Sequence, residues 1–81
     1  MTKEGGLPLM VVFSAKDIEP RARNALAASP IFALHEITVK RAGDALLLSG
    51  IVTSFYHKQL AQEAVRAVAE GVEVVNSIDV F

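Results

Sequence analysis

Between Ala42 and Thr53 the chain reads Ala-Gly-Asp-Ala-Leu-Leu-Leu-Ser-Gly-Ile-Val-Thr, and no other stretch constrains the fold as tightly. Gly43-Asp44 is a tight-turn signal, with Gly43 able to supply a positive φ. The residues after it alternate, so a strand over Ala45–Val52 puts Leu46, Leu48 and Val52 on an inner face. Gly50 takes the inward slot between Leu48 and Val52. A glycine there weakens a strand and marks a place where another part of the chain comes close. A helix starting at Ser54 is the expected neighbour. The run before the turn, His35–Arg41, alternates too, with Ile37 and Val39 inward and Glu36, Thr38 and Lys40 outward. The two strands are expected to form a hairpin.

Helices flank the hairpin. Ser14 and Asp17 both suit an N-cap. Pro20 favours Asp17, because a helix starting there puts the proline at its third position, where no intrahelical donor is needed. This predicts a first helix at about 17–28, with Ile18, Ala22, Ala25 and Leu26 as its apolar face and Ser29-Pro30 as its stop. After a linker over Ile31–Leu34 comes the hairpin. Thr53 or Ser54 then caps a second helix running to about Glu70, its stripe carried by Leu60, Ala61, Ala64, Val65 and Val68, with Gly71 at the C′ position. A final strand over about 74–80 puts Asn76, Ile78 and Val80 on one phase. A right-handed crossover through the second helix makes that strand parallel to the one before it. The fold class is α+β: an αββαβ sandwich with two helices on one face of a mixed three-stranded sheet. Residues 1–16 read as an N-terminal arm, in which the β-prone run Leu9–Phe13 is a candidate extra strand. Residues 17–81 form the domain.

The chain has 81 residues, of which 52% are hydrophobic. That is rich for a domain so small, where much surface stays wet. Either the packing is unusually complete or apolar surface is kept for a partner or for lipid. The net charge of −1 gives no bulk attraction to nucleic acid. No cysteine is present, which excludes disulfides and thiol chemistry. The apolar run Leu7–Phe13 is interrupted by Pro8 and too short for a secretory signal, and no segment approaches a membrane span of about 20 residues. As written, the chain reads as cytoplasmic; an export segment upstream of Met1 would make it periplasmic.

Taken together, several stretches resemble the BON domain, named for bacterial osmotically induced and nodulation proteins. They are Asn24–Pro30, Ile37–Val39, Gly43, Leu46-Leu-Leu-Ser-Gly-Ile-Val-Thr-Ser54, Ala61-x-x-Ala64, Gly71-Val72 and Val75-Asn-Ser-Ile-Asp-Val80. The match covers about residues 17–80, and the Leu-Ser-Gly-x-Val-Thr-Ser run before a helix is its most specific part. The resemblance implies the αββαβ sandwich and a non-enzymatic role associated with phospholipid or envelope surfaces, often as tandem copies in periplasmic or outer-membrane proteins. This chain departs from it in carrying one copy, in showing no export signal, and in being about one residue shorter between Gly71 and Asn76.

No constellation reads as catalytic. His35 and His57 lie 22 residues apart without the third and fourth ligands that a structural metal site wants. The acids Glu19, Glu36, Asp44, Glu63, Glu70, Glu73 and Asp79 are scattered with no base or nucleophile beside them. Ser49-Gly50 lacks the preceding glycine of a nucleophile elbow. Gly43, Gly50 and Gly71 are spaced for turns and packing. No cofactor is expected.

Two surfaces stand out instead. Leu47 and Ile51 fall on the outward phase of the second strand, where helices on the other face leave them uncovered. Either the arm Leu9–Phe13 folds over them as an extra strand, or Leu47 and Ile51 together with Val11 and Phe13 of the arm form a surface for a protein partner or a homodimer, or they are simply exposed. The second candidate is phospholipid binding. Phe55-Tyr56-His57-Lys58 is an aromatic and basic cluster of the kind found at membrane surfaces, with Lys40, Arg41 and Arg66 as further cations. The competing reading buries Phe55 in the core and leaves Tyr56 on a solvated surface.

Overall fold

A computed structural model of the chain describes residues 14–81. Helix α1 spans Ala15–Ala27, a 3₁₀ helix Phe32–Glu36, strand β1 Thr38–Ala42, strand β2 Ala45–Val52, helix α2 Phe55–Arg66 and strand β3 Glu73–Val80. The sheet order is β1-β2-β3, with β1 antiparallel and β3 parallel to β2. This is the expected α+β architecture: two helices on one face of a mixed, open three-stranded sheet. The candidate strand at 9–13 lies outside the described residues.

The hairpin register follows from the turn. Ala42 pairs with Ala45, leaving Gly43-Asp44 as a two-residue loop. Gly43 has φ +63° and no non-glycine among the described residues has a positive φ. Asp44 therefore has negative φ, as a type II′ turn with glycine at its first position requires. Leu46 and Leu48 are fully buried, and Val52 nearly so. They meet Ile18, Ala22 and Leu26 of α1, Ala61 and Val65 of α2, and Leu34, Ile37, Val39 and Ile78 in one core.

Four boundaries or contacts differ from expectation. Helix α1 begins at Ala15 with Ser14 as its N-cap, so Pro20 lies inside the helix. The Ser14 N–H and Oγ–H both donate to Asp17 Oδ2, at 3.2 and 3.0 Å, which closes the first turn as a capping box does. The earlier start also buries Ala15, which joins Ile18, Ala22 and Leu26 on the core side. The forfeited Pro20 donor falls on the exposed side. Second, β1 begins at Thr38, not His35, because the chain first makes a 3₁₀ turn. Leu34 is buried, and His35 Nε2 folds back to within 2.8 Å of the Ser29 carbonyl. A carbonyl only accepts, so this nitrogen carries the proton.

Third, the close approach at Gly50 comes from the chain entering β1, not from α2. A Cβ there would lie 3.3 Å from Ile37 Cδ1 and 3.4 Å from the Glu36 carbonyl oxygen. Fourth, α2 stops at Arg66 instead of Glu70. Beyond it the turns tighten, with Val68 N–H donating to Val65 O and Ala69 N–H to Arg66 O, a 3₁₀ spacing that brings Ala69 into the core. Gly71 is therefore a residue of the following turn and not the C′ residue of α2. The other end of α2 is as expected: Ser54 Oγ accepts from the His57 N–H at 3.2 Å.

Candidate interaction surfaces

Because side chains alternate along a strand, each sheet residue is assigned to a face by its neighbours' burial. Val39, Leu46, Leu48 and Ile78 point to the helices, so the opposite face carries Thr38 and Lys40 of β1, Ala45, Leu47, Ser49 and Ile51 of β2, and Glu73, Val75, Ser77 and Asp79 of β3. Read across the strands, Lys40 sits beside Leu47 and Leu47 beside Val75, while Ile51 sits beside Asp79. Leu47 is half-buried, Ile51 is 61% exposed and Val75 38% exposed. Among the described residues no helix packs on this face, and a row of hydroxyls, Thr38, Ser49 and Ser77, runs between Leu47–Val75 and Ile51. Val11 and Phe13, the arm residues expected to join this interaction surface, lie outside the described residues.

The second surface is the end of the sheet where β2 and β3 terminate. Ser54 as N-cap sets Phe55 and Tyr56 at the first two helical positions, and they are 62% and 66% exposed. Phe55 is not a core residue. Phe81, 94% exposed, joins this end through its N–H, which donates to Val52 O at 2.8 Å. Lys58 is half-buried on α2. Lys40 and Arg41 are not part of the same patch. They sit opposite Leu47 and Leu46, five and six residues from Val52 along β2, or about 17 and 20 Å away. Lys40 and Arg41 thus lie at the opposite end of the sheet from Phe55 and Tyr56, because β1 runs antiparallel to β2 and carries its basic residues away from the start of α2.

A cleft of about 420 Å³ opens between the segment after α1 and the outer side of α2, lined by Ser29, Pro30, Ile31 and Leu34 against Tyr56, Leu60, Glu63 and Ala64. It is open and mostly apolar, and among the described residues Glu63 is its only carboxylate. Among the described residues no three His, Asp or Glu side chains are grouped so as to share a metal ion. His35 belongs to the 3₁₀ turn and His57 to the first turn of α2, where its buried Nδ1 has no hydrogen-bond partner. The carboxyl of Asp17 is held below the ordinary carboxylate range, chiefly by the Ser14 N–H and then by the Ser14 hydroxyl. That is a capping effect and marks no site.

Three features of these surfaces escaped the sequence. Val75 belongs to the open face, which only the β2–β3 register reveals. So does Glu73, the partner of Ala45. The third is Asn76, on the helix-facing phase of β3. Its Nδ2 donates to Lys58 O and Gln62 Oε1 of α2, each at 3.1 Å, while its Oδ1 accepts from the Ile78 N–H at 3.1 Å. A lone amide between Val74 and Ile78 was the available signal, since a polar residue on a buried phase needs partners.

Among the described residues no helix is long and apolar enough to cross a membrane. A family model described as BON domain matches residues 14–80. No curated protein and no solved structure matches the chain.

Proposed function

The chain belongs to the BON domain family, and from that premise we propose that it is a non-catalytic binding module whose contact surface is the open face of its sheet, engaged by a protein partner or by a second copy of itself. The observation that carries this reading is the presence of Leu47, Val75 and Ile51 on a face that no helix of the described residues covers. Burying exposed side chains of this size is worth about 1.5–3 kcal/mol each before association costs are met. That supports association once surrounding surface joins in. The combined substitution Leu47→Thr and Ile51→Thr keeps β-branched, strand-compatible residues while removing the apolar centre. The expected result is a monomer with an unchanged circular dichroism spectrum and an unchanged core. Light scattering across a concentration series reads the mass, and an assembly mass unmoved by the double substitution would exclude the face.

A second reading rests on Phe55, Tyr56 and Phe81 at one end of the domain: a phospholipid-surface module that seats these aromatics among headgroups. Their exposure supports it. The distance of Lys40 and Arg41 from them weakens it, because anionic lipid would then meet Lys58 with little help. Co-sedimentation with anionic vesicles at low salt tests it. Salt-sensitive binding that is lost on Phe55→Ser with Tyr56→Ser is the result it requires, and no binding at low salt would end it.

A further inference from the structure

The open face carries its own electrostatic complement. Its rows across β1, β2 and β3 are Ala42–Ala45–Glu73, then Lys40–Leu47–Val75, then Thr38–Ser49–Ser77, and last Ile51–Asp79. The cation therefore stands on β1 and both acids on β3, with Leu47 and Ile51 on β2 between them and Val75 on β3 beside Glu73. A face of one sign would call for a foreign partner of the other sign. A face split in this way complements a second copy of itself.

We propose that two copies of this chain stack open face to open face about a two-fold axis running along β2, so that Lys40 of each copy reaches Glu73 of the other. This rests on reading the open face as the contact surface and adds the partner and its orientation.

The orientation follows from symmetry. A closed pair of identical faces has its two-fold axis in the plane between the sheets, and the two limiting directions for that axis run along the strands and across them. An axis across the strands lays β3 on its symmetry mate, bringing the Glu73 and Asp79 carboxylates of both copies to one side and both Lys40 ammonium groups to the other. An axis along β2 lays β1 over the facing β3 on both sides at once, cation against acids twice. Facing sheets lie about 10 Å apart, and Glu73 is one row, or about 7 Å, from the level of Lys40. A lysine on its flexible four-carbon stem spans that offset.

The same dimensions set the strength. Three strands of at most eight residues make a face of about 26 by 14 Å. Two such faces bury about 750 Å² together, below the roughly 1,200 Å² of stable specific complexes. The dimer is therefore weak and reversible, and its population rises with concentration.

The test is sedimentation velocity on the full chain across a concentration series, with circular dichroism confirming each fold. The wild type shifts from monomer toward dimer as concentration rises, and less so in high salt. Ile51→Thr abolishes the shift. Lys40→Glu and Glu73→Lys each weaken dimerisation on the order of tenfold, since each replaces two exposed attractions by two repulsions. The exchange of both residues in one chain restores it, a rescue that a structural role of either residue would not produce. If Ile51→Thr abolishes dimerisation but the charge exchange fails to rescue, the face is the interface and the orientation is wrong. If Ile51→Thr changes nothing, the face itself is wrong. A full chain that stays monomeric at every concentration overturns the proposal. Dimerisation gained on Val11→Asp with Phe13→Asp would then identify the chain's own N-terminal segment as the occupant.

Discussion

Replacing Gly50 by alanine tests the central packing decision of the fold. Gly50 has φ +142°, a conformation that a residue with a Cβ adopts at a cost of about 1–3 kcal/mol. The added methyl would also lie 3.3 Å from Ile37 Cδ1, 3.4 Å from Glu36 O and 3.5 Å from Ile37 Cα. Only the first of these is tighter than an ordinary contact, and it is the end of a side chain that can yield. The other two, to backbone of the segment entering β1, are at ordinary van der Waals distance. Together these effects give a loss of about 2–3 kcal/mol, strain being the larger part. A domain of this size has about 4–12 kcal/mol in all, so the variant is folded but much weakened. With a urea m-value of about 1 kcal/mol/M the midpoint falls by about 2–3 M, and the melting temperature by about 10–20 °C.

Urea unfolding followed by circular dichroism measures this, with Gly43→Ala as the comparison. Gly43 also has positive φ, but a Cβ there would meet nothing within 4 Å, so its variant incurs conformational strain alone. Combining Gly50→Ala with Ile37→Val removes the nearest crowding atom and should recover part of the loss as a non-additive coupling. A Gly50→Ala midpoint equal to the wild type, or no lower than that of Gly43→Ala, would refute the claim that this glycine is required by the neighbouring chain.

Two other substitutions follow from single side chains. Asn76→Asp keeps the acceptor for the Ile78 N–H but turns a donor into a carboxylate facing Lys58 O and Gln62 Oε1; thermal melts at neutral pH should show a loss of about 1–3 kcal/mol, and an unchanged melt would mean that water replaces the amide freely. Asp17→Asn removes a carboxylate whose pKa is lowered in the folded chain, first by the Ser14 N–H. A lowered folded value contributes stability above the unfolded value of 3.8 and loses it as pH falls through the folded one. The variant should therefore be less stable than the wild type at pH 7, and the difference should shrink as both are acidified below that value; a difference independent of pH would place the effect elsewhere.

How far the sequence revealed this fold depends on how local each determinant is. Strand β2 matches its expected span because Leu46, Leu48 and Val52 alternate and Gly43-Asp44 bounds them, all within ten residues. The start of α1 was hidden because Pro20 argues locally for a later start, while the burial of Ala15 against the core is a tertiary term that offsets it. The end of α2 was hidden for a related reason. Ala67, Val68 and Ala69 continue an apolar pattern, and composition does not show a chain passing from i−4 to i−3 bonding. At Gly50 a close approach was legible but not its source, since Ile37 reaches it through the hairpin pairing. The candidate surface divides in the same way. Leu47 and Ile51 are readable from alternation alone, Val75 and Glu73 need the β2–β3 register, and the separation of Lys40 from Phe55 needs the strand directions.

A three-stranded open sheet offers a partner two edges and one face, and the side chains of this domain weigh against the edges. Arg23 of α1, held by Glu19 at 2.6 Å, also donates to the Val39 carbonyl at 3.1 Å, on the edge of β1. On β3, the Phe81 N–H pairs with Val52 O. By alternation the odd-numbered residues of β3 therefore turn their backbone groups to β2, and the even-numbered ones turn theirs to the free edge. Asn76 Oδ1 already holds one of those outward groups, the Ile78 N–H, while its Nδ2 is tied to α2. Adding a strand to either edge requires undoing a side-chain bond that the folded domain has made. Such edge protection is what a sheet needs if it is to avoid strand-to-strand association. The open face has no such guard: Ile51 and Val75 present apolar surface that nothing in the described fold covers. Association through the face disturbs no existing bond, and for that reason the proposed contact is placed on Ile51, Val75 and Lys40 and not on a backbone group at the edges.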